Sequence, residues 1–181
     1  MATKKFDVVA IGGATVDVFI DTEYSSIFID SRSLKEKLMA YPIGAKIKID
    51  RINFSTGGGG TNCASGFSKM GLRTGFLGCI GNDDNGKAII NSLRNDKVAF
   101  LGNITKRPSG YSVILDSIKH DRTILTFRGS NEFLDISKKG FEKINSKWFH
   151  FSALTGKSLN TLKKIAGLCK KSKIPYSFNI A

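Results

Sequence analysis

Four consecutive glycines, Gly57-Gly58-Gly59-Gly60, run directly into Thr61-Asn62 and an apolar-periodic segment. Backbone without Cβ atoms adopts left-handed conformations at no steric cost and approaches another chain or a ligand closely. A helix start adds backbone N–H groups that lack intrahelical partners. A linker would not lead straight into an amphipathic helix, so the run reads as a shaped loop before a helix over 62–70, with Gly71 as its left-handed stop. That combination predicts a site for something small and polar. It does not complete the dinucleotide pattern G-x-G-x-x-G, because Asn62 and Cys63 occupy the final positions, so NAD binding is unsupported.

The elements around this loop alternate. Val8-Val9-Ala10-Ile11 is a short apolar run that stops at Gly12-Gly13, the pattern of a buried parallel strand ending in a tight turn. Further strands are expected over 46–50, where polar and apolar residues alternate, and over 76–80, 148–151 and 176–180; helices are expected over 87–94, 138–144 and 159–171. Two β-rich runs, 111–115 and 123–127, flank the polar turn 119–122 and read as a hairpin. Alternating β and α units imply an α/β fold: a mostly parallel sheet with helices on both faces, three layers in all, and the two odd β regions forming a flap beside it. At 181 residues and 41% hydrophobic the chain can bury such a core, which excludes a disordered tail.

The net charge of +13 invites a nucleic-acid reading, but its distribution argues against one. Residues 136–175 hold ten Lys and one Glu, so the excess sits in one helical region. On that helix Leu159, Leu162, Ile165, Ala166, Leu168 and Cys169 share one half, and Asn160, Lys163, Lys164, Lys170 and Lys171 the other, as a solvated face does. Three cysteines, Cys63, Cys79 and Cys169, form no C-x-x-C pair and read as buried thiols. Asp7 and Asp17 interrupt the N-terminal apolar stretch, and no run reaches the length of a membrane span, so a cytoplasmic protein without membrane contact is expected.

Gly81-Asn82-Asp83-Asp84-Asn85-Gly86-Lys87-Ala88 has P-loop spacing but not P-loop chemistry. Ala88 stands where a magnesium-ligating hydroxyl is needed, and two carboxylates sit where amides should cradle a polyphosphate. A helix cap is the plainer reading. Asp17 follows the Gly12-Gly13 turn, at the carboxyl end where open α/β sheets bind ligands. His120 and His150 read as structural, and no His pair is spaced for a metal.

Taken in order, Gly12-Gly13-Ala14-Thr15-Val16-Asp17, then Gly57 to Ala64, then Gly71, Gly78 and Gly81 to Gly86, this sequence resembles the first signature of the ribokinase-like (PfkB) sugar and nucleoside kinases. Arg107-Pro108-Ser109-Gly110, Asp121-Arg122-Thr123 and Arg128-Gly129-Ser130-Asn131 continue the likeness, so it covers the chain from its first strand to its end. The resemblance implies the N-terminal portion of one ribokinase-like domain over 1–181, with lid segments at about 20–55 and 107–128. It further implies ATP- and Mg2+-dependent phosphorylation of a hydroxymethyl group on a small sugar or nucleoside, in a protein that dimerises through the lid.

By the same resemblance Asp17 accepts hydrogen bonds from sugar hydroxyls, the backbone of Gly58 and Gly59 contacts the sugar, and Asn62 holds another hydroxyl. Asn131 lies near the lid, and Asn179 approaches the phosphate region. Two positions depart from the pattern: Thr15 stands where many members have Asn, and Gly59 where some have Lys, which leaves the preferred sugar open. The second signature, a Gly-Ala-Gly-Asp segment that supplies the catalytic base and anion hole, does not occur in these residues. The expectation is therefore a substrate-binding half with no catalytic residue of its own and most of the ATP site outside it. A non-catalytic sugar or nucleoside binder is the alternative, and a basic nucleic-acid-binding domain a distant third.

Overall fold

The structure is a computed structural model and describes residues 6–22, 27–31, 36–116 and 122–179. In chain order the first elements are β1 (Val8–Ile11), β2 (Thr15–Asp21), β3 (Ile27–Ser31), β4 (Glu36–Ala40), β5 (Arg51–Gly57) and α1 (Gly59–Lys69). β6 (Thr74–Leu77), β7 (Cys79–Gly81), α2 (Asp84–Asn95), β8 (Ala99–Phe100), β9 (Asn103–Thr105), β10 (Gly110–Asp116) and β11 (Arg122–Phe127) follow. After a 3-10 turn at Gly129–Glu132 come α3 (Lys138–Glu142), β12 (Phe149–Ser152), α4 (Gly156–Lys171) and β13 (Tyr176–Asn179).

The chain divides into two compact units: Met1–Val16 with Thr56–Tyr111 and Phe127–Ala181, and Asp17–Ser55 with Ser112–Thr126. The first holds a five-stranded sheet in the order β13-β12-β1-β6-β8, whose pairings are all parallel. Its middle strand is buried throughout, and so is β6, which is why their sequences run apolar without alternating. On one face Val9 and Ile11 pack with Phe149, Phe151 and the α4 residues Leu162, Ile165 and Cys169. On the other, Ala10 and Phe76 pack with Ala64 of α1 and Ile89 and Leu93 of α2. That is the expected three-layer arrangement. The half of α4 read as apolar does supply the core, whereas Lys163, Lys164, Lys170 and Lys171 are exposed.

Beyond the first unit, β11, β10, β2 and β5 form a four-stranded sheet, and β3 pairs antiparallel with β4. Several sequence expectations need correction here. Residues 46–50 form no strand despite their alternation; the strand lies just downstream in β5, whose Arg51–Ser55 residues are exposed, so the alternation marked no core face. The apolar run expected as one strand over 76–80 is divided at Gly78, with β6 in the five-stranded sheet and β7 paired with β9. A Cβ at Gly78 would meet the Phe76 ring and, at 2.8 Å, the Gly12 carbonyl oxygen, so this break depends on glycine. Asp17 lies inside β2, a strand not expected from the sequence, rather than in a loop. The turn residue His120 lies outside the described residues.

No helix among the described residues is long and apolar enough to cross a membrane. Cys79 and Cys169 are buried and Cys63 half-buried; burial pushes the Cys169 thiol up to about 11 and leaves it unreactive at neutral pH.

Candidate functional site

The order in which the chain adds strands to the five-stranded sheet reverses at β1. From β1 the chain reaches β6 on one side after α1 covers one face, whereas β12 lies on the other side of β1 and reaches β13 after α4 covers the opposite face. Open α/β sheets bind ligands outside the carboxyl ends of the strands at such a switch point. Here those ends are Gly12-Gly13 after β1 and Ser152 at the end of β12.

The glycine run closes directly onto them. A Cβ at Gly12 would lie 2.8 Å from the Gly60 Cα and 2.8 Å from the Ser152 Cβ, and one at Gly60 would lie 2.7 Å from Gly12 backbone and from the Phe76 ring. Gly58 takes φ +101° and caps α1 from a conformation that suits only glycine, with its missing Cβ directed at the Gly13 carbonyl 2.5 Å away. The helix begins at Gly59, three residues before the expected start. Its first amides are not open to a ligand as the sequence suggested: Gly60 N–H donates to the Gly13 carbonyl at 3.0 Å and Thr61 N–H to the same oxygen at 3.4 Å. Thr61 Oγ1 donates to the Gly57 carbonyl at 2.5 Å, which locks the loop from within. Asn62, one residue on, is exposed.

Asn131 stands on the 3-10 turn and is buried. Its Oδ1 accepts from Ala14 N–H at 2.8 Å and its Nδ2 donates to the Ala14 carbonyl at 2.8 Å, so one amide side chain fastens both polar groups of the residue that follows Gly13. Ser152 was not singled out from sequence. It is 3% exposed, lies beneath Gly59 with 3.4 Å between its Oγ and a Cβ built there, and has a weak 3.9 Å contact with the Cys63 thiol. The only sequence signal for it is a hydroxyl at the first polar position after an apolar strand.

In the second unit, Asp17 Oδ1 is buried and has no hydrogen-bond partner among the described residues. A buried carboxylate oxygen normally finds a donor, because leaving it bare costs the full desolvation penalty. Asp17 Oδ1 is thus an acceptor with no donor among the described residues. Asn179 ends β13 opposite Ser152 in the register.

The Gly81–Gly86 loop is built as a cap. Asp83 Oδ1 accepts from Gly86 N–H at 2.8 Å to start α2, while its carboxylate also accepts from Ser109 N–H at 2.7 Å and Ser109 Oγ at 2.6 Å. Ser109 Oγ in turn accepts from Gly81 N–H at 2.9 Å. Burial pushes the Asp83 carboxyl up, but those hydrogen bonds outweigh it and hold its pKa below the usual carboxylate value. With its amides committed to Asp83 and Ser109, this loop does not fit a nucleotide polyphosphate. The described residues also hold no cluster of three His, Cys, Asp or Glu able to take a metal.

The family model described as pfkB family carbohydrate kinase matches residues 23–180. The chain belongs to the pfkB carbohydrate kinase family. As a PfkB chain it aligns at 33% identity over 95 residues with 5-dehydro-2-deoxygluconokinase of Bacillus licheniformis, which is 52% of this chain and 23% of that protein. Its fold is that of Arabidopsis thaliana ribokinase, solved with ribose and ATP: TM-score 0.75, 21% identity, 98% of this chain and 54% of the other. Sinorhizobium meliloti adenosine kinase superposes with TM-score 0.70 at 18% identity over 97% of this chain and 56% of that one. The PfkB fold is therefore ribokinase-like, and the chain spans about half the length of these solved kinases.

Proposed function

We propose that this chain supplies the substrate-binding part of an ATP-dependent sugar or nucleoside kinase. The observation that carries the proposal is the buried, unpartnered Oδ1 of Asp17 in a family of carbohydrate kinases. Asp17 accepts from substrate hydroxyls, and a site built on such hydrogen bonds discriminates against analogues that lack them. The backbone of Gly58 and Gly59, the exposed Asn62 amide and the remaining N–H of Asn131 supply further contacts, and Asn179 is assigned toward the nucleotide. ATP and Mg2+, which the family uses, supply the phosphoryl group and neutralise its charge. The Gly81–Gly86 loop, with its amides engaged by Asp83 and Ser109, does not fit the polyphosphate, and no residue of this reading serves as the base, so the chain alone is expected to bind without turnover. A homodimer formed through segments 20–55 and 107–128, in the cytoplasm, belongs to the same reading.

Thermal-shift titration with ribose, fructose, adenosine and 5-dehydro-2-deoxygluconate, the last suggested by the Bacillus relative's name, tests it. One of these should raise the Tm of the chain, and Asp17→Asn should remove the rise. An unchanged rise in the variant, or no rise with any of the four, would overturn the site. Phosphorylated product made by this chain alone from ATP and Mg2+ would overturn the assignment of the catalytic base elsewhere.

A further inference from the structure

The segment leading from the 3-10 turn toward α3 runs beside the first half of α4. The cavity between them has a volume of about 380 Å3 and is lined by Phe133, Asp135, Lys157, Asn160, Thr161 and Lys164 among others. That volume is in the range of small-molecule sites, roughly 300–1,000 Å3. Its lining includes neither the glycine loop nor any residue assigned above to the substrate.

The four α4 residues are spaced i, i+3, i+4 and i+7, so they share one face of the helix. Lys157 and Lys164 bring two ammonium groups to it, and neither pairs with a carboxylate among the described residues. Lys157 Nζ lies 5.7 Å from the Phe133 centroid, so one of the two ammonium groups stands at the aromatic wall; the Arg107 guanidinium, 3.8 Å from the same centroid, is not part of the lining. Thr161 is only 6% exposed as a residue, and it lines the cavity.

We propose that this cavity binds a compact phosphomonoester. Its dianion is held between Lys157 and Lys164, with the Thr161 hydroxyl and the Asn160 amide as neutral donors. Two lining ammonium groups against the one lining carboxylate, Asp135, favour an anion. The volume exceeds what a bare phosphate occupies, and Phe133 and Asp135 give the ester's organic body an apolar wall and an acceptor for a hydroxyl. Inorganic phosphate and a sugar phosphate share the recognised group, and the test separates them.

Amide NMR spectra of the 181-residue chain are titrated at constant ionic strength with potassium phosphate, with ribose 5-phosphate, and with potassium chloride as control. Saturable shifts are expected at 133–135 and 157–164, tighter for the ester than for phosphate. Lys157→Gln and Lys164→Gln should each weaken binding about tenfold, the effect of one lost charge-assisted contact. Thr161→Val should weaken it less, and Lys171→Gln should leave it unchanged. Shifts spread evenly over Lys163, Lys170 and Lys171, or shifts that do not saturate, would reduce the cavity to a solvated basic face. Loss of binding in Asp17→Asn would place the ligand elsewhere.

Discussion

At the scale of single residues, the backbone contacts between Gly12-Gly13 and Gly58–Gly60 leave no room for a methyl group at Gly12, Gly58 or Gly60. Gly60→Ala places a Cβ 2.7 Å from both Gly12 backbone and the buried Phe76 ring, neither of which can swing away. Overpacking of this kind costs about 1–3 kcal/mol, to be read as a lower urea midpoint with unchanged m-value. Asn131→Ala removes both hydrogen bonds to Ala14 and strands its buried N–H, so a loss of about 2–3 kcal/mol is expected. His150 offers a pH readout. Its Nδ1 shares a hydrogen with Ser177 Oγ at 2.8 Å, its Nε2 is buried without a partner among the described residues, and burial pulls its pKa below the ordinary histidine value. The folded state thus favours the neutral ring. Its contribution is present above the unfolded pKa near 6.5 and is lost as pH falls from there through the folded pKa. The Tm should decline between about pH 7 and pH 5, and less so in His150→Gln, which has no ring to charge.

At the scale of elements, Asp83 joins two pieces of chain at once by capping α2 and holding Ser109 at the entry to β10. Asp83→Ala should cost about 2 kcal/mol or more in chemical denaturation, above the usual ~1 kcal/mol of a cap, because Ser109 loses its acceptor too. Ser109→Ala should recover part of that difference in a double-mutant cycle. The cap shows what the sequence made legible. Carboxylates between Gly81 and Gly86 point to a helix start without any structure, and an apolar run marks β1 and an aromatic-rich one β12, because these effects are local. The misreadings came from tertiary effects. Gly78 ends β6 through the positions of Phe76 and Gly12, and α1 gains its first turn from the carbonyl of Gly13, more than forty residues earlier in the chain. Periodicity carries no record of such partners. For the same reason nothing local in the sequence marks Ser152, whose place is set by sheet topology.

At the scale of the whole molecule, the two units differ in how much of their backbone is covered. β1, β6 and β12 lie almost wholly in the core, whereas every residue of β11 and Arg51–Ser55 of β5 are exposed. Hydrogen exchange should therefore be slowest in β1 and β6 and faster by orders of magnitude in β5 and β11, since exposed strands open locally without global unfolding. The edge strand β13 presents Tyr176 and Phe178 at 43% and 45% exposure. Exposed aromatics on a sheet edge favour strand-to-strand association, so light scattering of the isolated chain should rise with concentration. Tyr176→Lys together with Phe178→Lys should suppress that rise.

The junction of Gly12-Gly13 with Gly58–Gly60 is peptide against peptide, with no rotatable bond beyond the main chain on either side. Side chains absorb a displacement by changing rotamer; here nothing can yield in that way. Any tilt of α1 passes undamped to the end of β1 and, through Asn131, to the 3-10 turn. In mechanical terms the three behave as one rigid lever rather than as neighbours in contact.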